Sequence, residues 1–189
     1  MSYIAVIYDC KYGGSKTYAK WIADELKADL ISKSRVNLHL ISSYEIIIFG
    51  GEIFLGDISG IDIIVDNFYN IKDKEIIVFT CGHSDPYVNK EDIVNNFKNK
   101  VKEEIFKGVK LYNFRSSINY KTLSFLDSLM LNRKYKKVLN KKNLNSEEKF
   151  LIENYNKEFD FNNKDSIKEL IQYVEEIKVI VEKKLEDQM

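Results

Sequence analysis

Short apolar runs alternate with segments of helical periodicity along most of the chain. The first run, residues 3–8, ends before a glycine pair, and residues 15–27 then place their apolar side chains on one helical face. Further strands are predicted at residues 30–32, 44–49, 75–79 and 109–114, and further helices at residues 37–42, 60–69 and 92–106. Continuous apolar runs are typical of strands buried on both faces.

This alternation with short loops predicts a doubly wound α/β fold. We expect a five-stranded parallel sheet in the order 2-1-3-4-5, with right-handed crossovers. Residues 121–157 depart from the plan, because they add two helical stretches before a last helix at about residues 164–184. The prediction is therefore a single domain over residues 1–189 with a helical insertion at about 121–157.

Composition narrows the class of protein. A chain of 189 residues with 44% hydrophobic residues can bury one substantial core. Acidic and basic residues both total 29, so the overall charge does not favour nucleic acid as a partner. Two cysteines without a CxxC pair or a Cys/His cluster make neither a disulfide framework nor a metal site. The start lacks a secretory signal pattern, so we expect a cytoplasmic protein.

The loop after the first strand is the first candidate site. Residues 9–17 contain Gly13 and Gly14 and open directly into a helix. Free backbone amides and the helix dipole favour an anion at such a point, and glycines let the chain curl around it. The loop matches neither GxxxxGK[ST] nor GxGxxG, so a terminal phosphate monoester fits better than a triphosphate or a dinucleotide. An ordinary capped turn is the alternative.

Two more loops are predicted at the same edge of the sheet. Residues 50–56 follow the third main strand and residues 80–87 follow the fourth, and ligands of doubly wound sheets bind outside these strand ends. Glycines in both loops permit close approach, while Phe54 and Tyr87 are candidates to flank a flat ring.

These segments resemble the flavodoxin family. The resemblance rests on KYGGSKTYAKWIADEL, on FGGEIFLGDISG and on the late segment NFRSSINYKTLSFLDSLML, and it is strongest toward the branch that looks like menaquinone-dependent protoporphyrinogen oxidase. It implies a flavodoxin-like fold that binds FMN for electron transfer. The sequence lacks the TxTGxT loop of small carrier flavodoxins, so phosphate contacts are expected to depend on the backbone.

By that resemblance FMN would be held by the three loops described above, at residues 9–17, 50–56 and 80–87. The predicted cofactor-binding residues are Lys11, Tyr12, Gly13, Gly14, Ser15, Lys16, Thr17, Gly50, Gly51, Glu52, Ile53, Phe54, Thr80, Cys81, Gly82, His83, Asp85 and Tyr87. No catalytic residue is assigned, and no metal is expected.

Several of these residues also have simpler interpretations. Cys81 and Cys10 are better explained as small core residues than as redox groups, since neither has a neighbouring cysteine. His83 titrates near neutrality and is a candidate proton donor beside a flavin, but a solvated loop histidine is the favoured interpretation. Glu52 either lowers the potential of a nearby flavin by repulsion or points to solvent.

The insertion carries the one local charge asymmetry. Residues 121–149 contain eight basic side chains against three acidic ones, preceded by a short apolar run. The resemblance implies an inserted helical element near the active site that faces a substrate, a quinone or a membrane surface, with peripheral membrane contact through residues 121–142. A helix packed on the domain with a solvated basic end is equally compatible with this pattern.

Three functions follow from these patterns. The leading one is an FMN-dependent oxidoreductase that meets a quinone, a reductase or a small-molecule substrate. A simple electron-shuttle flavodoxin is the second, although a neutral chain with a long insertion favours the enzyme. A flavin-free regulatory domain of the same topology is the third, and the glycines at 50 and 51 do not match the acidic site of a response regulator.

Overall fold

A central sheet flanked by helices dominates the computed structural model, which describes residues 2–83, 85–87, 90–117, 123–144 and 146–187. The strands are β1 (Ile4–Asp9), β2 (Asp29–Ser32), β3 (Ile46–Phe54), β4 (Asp57–Ile58), β5 (Glu75–Gly82) and β6 (Lys110–Arg115). The helices are α1 (Gly14–Leu26), α2 (Leu38–Ser42), α3 (Asp62–Ile71), α4 (Lys90–Lys98), α5 (Glu103–Lys107), α6 (Phe125–Leu139), α7 (Ser146–Asn154) and α8 (Lys168–Glu186).

Five strands pair in parallel in the order β2-β1-β3-β5-β6. This is the predicted order, because β4 is only a two-residue strand that pairs antiparallel with the end of β3. The helical insertion is also confirmed as α6 and α7, and the last helix as α8 after a 3-10 turn. The flavodoxin-like α/β fold predicted from the sequence is therefore correct.

Side chains of the central strands alternate between two cores. Ile46 and Ile48 of β3 pack on the side that carries α1 and α8, whereas Ile47 and Phe49 pack on the side of α3. All four are fully buried. Apolar residues at successive positions are required because helices cover both faces of the sheet.

Two strands continue further than their apolar runs predicted. β3 extends through Gly50 and Gly51 to Phe54, and β5 extends through Thr80 and Cys81 to Gly82. The prediction of loops beginning at residues 50 and 80 was therefore wrong. The reason is backbone pairing, since Gly51 lies opposite Asp9 on one side and Thr80 on the other.

The predicted helix over residues 92–106 was also wrong as a single element. The structure has α4 and α5 separated by residues 99–102, where Asn99 N and Lys100 N donate to the last carbonyls of α4. The break lets both short helices bury apolar side chains in the same core, including Phe97 and Ile105. By contrast, the predicted cap of α2 is confirmed, because the Asn37 side chain accepts from Leu40 N at 2.9 Å.

Gly50 is required by packing rather than by a turn. A Cβ built at this position would lie 2.0 Å from Cζ of Phe79, whose fully buried ring occupies the space. We expect Gly50→Ala to destabilise the protein by about 1–3 kcal/mol, because Phe79 must move within a close-packed core. Urea denaturation measures this loss.

Gly82→Ala is the matched control at the end of β5. Its Cβ would meet only Ile53 atoms at 3.7 Å, which is ordinary contact, so a change under about 0.5 kcal/mol is expected. Equal losses in the two variants would contradict the packing explanation.

Candidate functional site

An anion-binding loop joins β1 to α1, and we call residues 10–14 the anion loop. Gly13 has a φ of 107°, a left-handed conformation that glycine adopts easily, and it directly precedes the first residue of α1. The turn leaves the amides of Lys11, Tyr12 and Gly14 directed at one point. Such a cluster at a helix start favours an anion.

The carboxylate of Glu52 occupies that point. Its Oε2 accepts from Lys11 N and from Tyr12 N, both at 3.0 Å, and its Oε1 accepts from Gly14 N at 2.9 Å. The Cys10 thiol donates to Oε1 at 3.2 Å. Glu52 is only 7% exposed, so the alternative that it points to solvent was wrong. The chain supplies its own anion to the loop.

The hydroxyl groups in the first turn of α1 donate to backbone carbonyls. Ser15 is fully buried and donates to the carbonyl of Asp9 at 2.7 Å, while Thr17 Oγ1 donates to the carbonyl of Gly13 at 3.0 Å. Lys16 is exposed. The expectation that phosphate contacts depend on the backbone stays a prediction, and the Ser15 and Thr17 hydroxyl groups already donate to backbone carbonyls.

Asp127 of α6 ties the insertion to the anion loop. Its carboxylate forms an ion pair with Lys11 Nζ at 2.6 Å and also accepts from the Tyr12 hydroxyl. Ser124 caps α6 and donates to the same carboxylate at 2.8 Å. These hydrogen bonds, that from Lys11 first, lower the pKa of Asp127 to about 2. The carboxylate thus remains ionised in the folded protein.

A cavity of about 80 Å³ lies beyond the loop, between the ends of β3 and β5 and the insertion. We call it the strand-end cavity. It is lined by Ile53, Phe54, Leu55, Thr80, Gly82, His83, Ile93, Asn113, Phe114, Leu131, Lys134, Phe150 and Leu151. Small-molecule sites usually measure about 300–1,000 Å³, so a flavin ring requires this cavity to open.

A second, smaller cavity of about 20 Å³ lies between Glu52, Cys81 and His83. It has room for about one water molecule. Tyr12 of the anion loop also lines it, as do Ile53 and Phe54 of the strand-end cavity.

His83 lines the strand-end cavity and is only partly exposed, so the favoured interpretation of a solvated loop histidine was wrong. Its Nδ1 has no hydrogen-bond partner within the described part of the chain. Burial lowers the pKa of the imidazole, although a hydrogen bond with the Ser116 backbone opposes this. The side chain is thus neutral near pH 7, with one polar atom available to a ligand.

The two cysteines differ in their surroundings. Cys81 is 1% exposed in the core on the α1 side, and burial raises the pKa of its thiol well above the usual range. Its interpretation as a core residue is confirmed. Cys10 is only partly buried and belongs to the anion loop, where its sulfur also accepts from Gly13 N at 3.0 Å. The core interpretation of Cys10 was wrong.

Asp85 and Tyr87 do not line the strand-end cavity. They lie at a separate cavity of about 520 Å³ along β6, together with Tyr18 and Phe161. Tyr87 is 84% exposed. The prediction that Phe54 and Tyr87 flank one ring was therefore wrong in this structure, because the chain after Gly82 carries Tyr87 away from Phe54.

Helix α6 presents two faces. Asp127, Leu131 and Val138 are buried, whereas Phe125, Leu126, Leu129 and Met130 are exposed at the start of the helix. Arg133, Lys134, Lys136 and Lys137 follow. Contact of residues 121–142 with a membrane surface stays a prediction, and Lys121 lies outside the described residues. In the described part of the chain, no helix is long and apolar enough to cross a bilayer.

Eight of the thirteen residues that line the strand-end cavity were missed in the sequence, as were two polar residues, Asp127 and Arg115. Asp127 carried a signal, since Ser124 and Asp127 form the S-x-x-D pattern of a helix start. Arg115 carried none. Its Nε donates to the carbonyl of His83 at 2.9 Å, and its guanidinium carbon lies 3.5 Å from the centre of the Phe161 ring. It fixes the backbone beside the strand-end cavity.

The structure is that of a doubly wound α/β protein whose loop after the first strand directs three backbone amides at one carboxylate. A family model described as "Flavodoxin domain" matches residues 5–159. The chain belongs to this flavodoxin family, whose members typically bind FMN. Comparison with the curated proteins finds no match.

Solved structures with similar folds include flavodoxins. The Trp repressor binding protein from Bacillus subtilis is 18% identical, with a TM-score of 0.44 over 60% of this chain and 83% of its own. Oxidised Flavodoxin 2 from Bacillus cereus is 20% identical, with a TM-score of 0.43 over 59% of this chain and 82% of its own. A flavodoxin from the domain Archaea is 16% identical, with a TM-score of 0.38 over 69% and 91%.

The link between the insertion and the anion loop is testable through Asp127. We expect Asp127→Asn to lower the free energy of unfolding by about 1–2 kcal/mol at pH 6, because Lys11 and Tyr12 lose a charged acceptor. The folded-state pKa of Asp127, about 2, lies below its ordinary value of 3.8. The stabilisation is therefore present above pH 3.8 and is lost as the pH falls through about 2.

Urea denaturation between pH 2 and pH 6 measures this difference. Asp66→Asn, which changes an exposed carboxylate on α3, is the control and should cost under about 0.5 kcal/mol. A difference between wild type and Asp127→Asn that persists unchanged at pH 2 would contradict the assignment.

Proposed function

We propose that the chain is an FMN-binding flavoprotein that transfers electrons. The observation that supports this most directly is the convergence of three backbone amides on one anion at the start of α1. In this family the same position suits the terminal phosphate of FMN. When bound, FMN supplies one- and two-electron redox chemistry.

Other residues fit the rest of the cofactor. Ile53 and Phe54 offer apolar surface to a ring in the strand-end cavity, and Thr80 lines it as well. The unpartnered Nδ1 of His83 would hydrogen-bond a polar edge of the ligand there. Glu52 must leave the anion loop before the phosphate of FMN can bind there, and the contacts of α6 and α7 at the cavity must loosen before the ring can enter.

An enzymatic role is proposed over a simple electron shuttle because of the insertion. Leu131, Lys134, Phe150 and Leu151 of α6 and α7 line the strand-end cavity, so they cover the place where a carrier would expose its ring to protein partners. A covered ring is suited to a small-molecule partner such as a quinone. The resemblance to the protoporphyrinogen oxidase branch belongs to this proposal, and the chain offers no residue that identifies a porphyrin.

A flavin-free domain is the second candidate. It is favoured by one observation, namely that the anion loop is already occupied by Glu52 and that the strand-end cavity is small. In this alternative the glutamate is a structural cap of α1, and the fold has kept the family's architecture without its cofactor.

Binding of FMN to the strand-end cavity is tested by blocking the cavity. Gly82 lines it, and a Cβ there would meet only Ile53, so Gly82→Leu should fold and place its side chain in the ring site. We expect this variant to bind FMN at least roughly tenfold more weakly than wild type. Flavin fluorescence quenching during titration with protein measures the affinity.

Tyr87→Ala is the control, since Tyr87 lines a different cavity, and its affinity for FMN should match that of wild type. Failure of wild type to bind FMN would support the flavin-free alternative. If FMN binds, reduction by NAD(P)H followed by reoxidation with quinones or oxygen separates the two redox roles. Reoxidation by quinone indicates the enzyme, whereas reaction only with protein carriers indicates the shuttle.

A further inference from the structure

The occupied anion loop points to a specificity-determining role for Glu52. We propose that the Glu52 carboxylate competes with the phosphate group of the ligand for the anion loop, so that Glu52 sets the preference between phosphorylated and unphosphorylated flavins. The identity of the ligand, a flavin, rests on the proposed function. The competition between two anions for the loop rests on the structure alone.

The competition follows from shared donors. The amides of Lys11, Tyr12 and Gly14 each donate to a Glu52 oxygen at 2.9–3.0 Å, and a phosphate at the start of α1 needs the same three amides. Since each of these amides has a single N–H, it cannot donate a full hydrogen bond to both anions. Two negative charges side by side would also repel each other.

Glu52 is held in place by its own strand end. Its carbonyl accepts from Ser59 N at 2.9 Å, and its amide donates to Ser59 Oγ at 2.9 Å. The neighbouring Gly51 has no space for a Cβ, which would lie 2.4 Å from the carbonyl oxygen of Ser59. The carboxylate is therefore positioned before any ligand arrives, and little conformational entropy is lost in holding it there.

The charge of Glu52 is balanced by the loop rather than by a lysine. Lys11, the cationic side chain of the loop, pairs with Asp127. The amides, the Cys10 thiol and the positive end of α1 stabilise the carboxylate instead. These are the groups that would otherwise attract a phosphate, so the carboxylate lowers the attraction of the free chain for phosphorylated ligands.

A flavin without phosphate avoids this competition. Riboflavin carries the same ring but no anion, so its affinity does not include the cost of expelling Glu52 from the loop. The fraction of molecules with an open loop reduces the apparent affinity for FMN in direct proportion. The chain should therefore discriminate against FMN relative to riboflavin more strongly when Glu52 is present.

The first experiment compares two ligands in two proteins. Affinities of wild type and Glu52→Ala for FMN and for riboflavin are measured by fluorescence quenching. We expect Glu52→Ala to bind FMN at least roughly tenfold more tightly than wild type, and riboflavin to change by less than about threefold. Glu45→Gln is the control, because Glu45 precedes β3 at the opposite end of the sheet and pairs with Lys74.

The second experiment needs no flavin. Inorganic phosphate should raise the melting temperature of Glu52→Ala by a few degrees more than that of wild type or Glu45→Gln, relative to chloride at equal ionic strength. If Glu52→Ala does not fold, Glu52→Gln removes the charge at nearly constant volume and is measured in the same two ways.

The outcomes separate the two proposals. Equal gains for FMN and riboflavin, or none, would overturn the competition while FMN binding itself stands. Absence of flavin binding in both proteins would overturn the proposed function. The phosphate experiment then decides on Glu52 alone, because a specific rise for Glu52→Ala supports the competition and an equal response of all proteins rejects it.

Discussion

Burial of β3 on both faces is the constraint on which the structure depends. This strand pairs with β1 on one side and β5 on the other, and its isoleucines alternate between the two cores. The apolar surface removed from water there drives the assembly of helices on both sides. Because strands β1, β3 and β5 are parallel, their carboxyl ends meet at one edge, and polar groups that follow them come together.

The position of Glu52 follows from the same alternation. Ile46 and Ile48 face α1, and two further steps of two residues bring Glu52 to that face, near the end of the strand and beside the start of α1. A carboxylate at this place can either be a ligand of the anion loop or a repulsive neighbour of another anion. The short distances to three amides show that it is a ligand.

Much of the fold was predictable from the sequence. The spacing of apolar residues indicates which faces of each strand and helix are buried, and these faces determine how the sheet and the helices stack. The strand order, the insertion and the cap at Asn37 were predicted correctly. The ends of β3 and β5 were not, because Gly50 and Gly82 indicate loops in sequence but lie in paired strands. A glycine is needed at position 50 because the Phe79 ring occupies the space of a side chain. The sequence does not identify Phe79 as the neighbour, so this glycine could not be distinguished from one required by a turn.

The anion loop was also predictable, but its occupant and its link to the insertion were not. Glu52 and Asp127 contact the loop across 38–42 and 115–116 positions of sequence, respectively, and no local pattern reports such distant pairs. His83 was misjudged for a related reason. A polar side chain in a segment with glycine and proline is usually predicted to be solvated. In the structure, Phe150 of α7 covers His83, with 6.3 Å between the two ring centres.

Through the contacts of Asp127, the helical insertion helps to hold the anion loop in its conformation. Without α6, Lys11 and Tyr12 would lose the carboxylate that holds their side chains, and the turn they belong to would be less well ordered. Conversely, a change in the position of Lys11 or Tyr12 would alter the contacts that Asp127 of α6 makes. The exposed apolar side chains at the start of α6 therefore lie on the same helix as the carboxylate that holds the side chains of the anion loop.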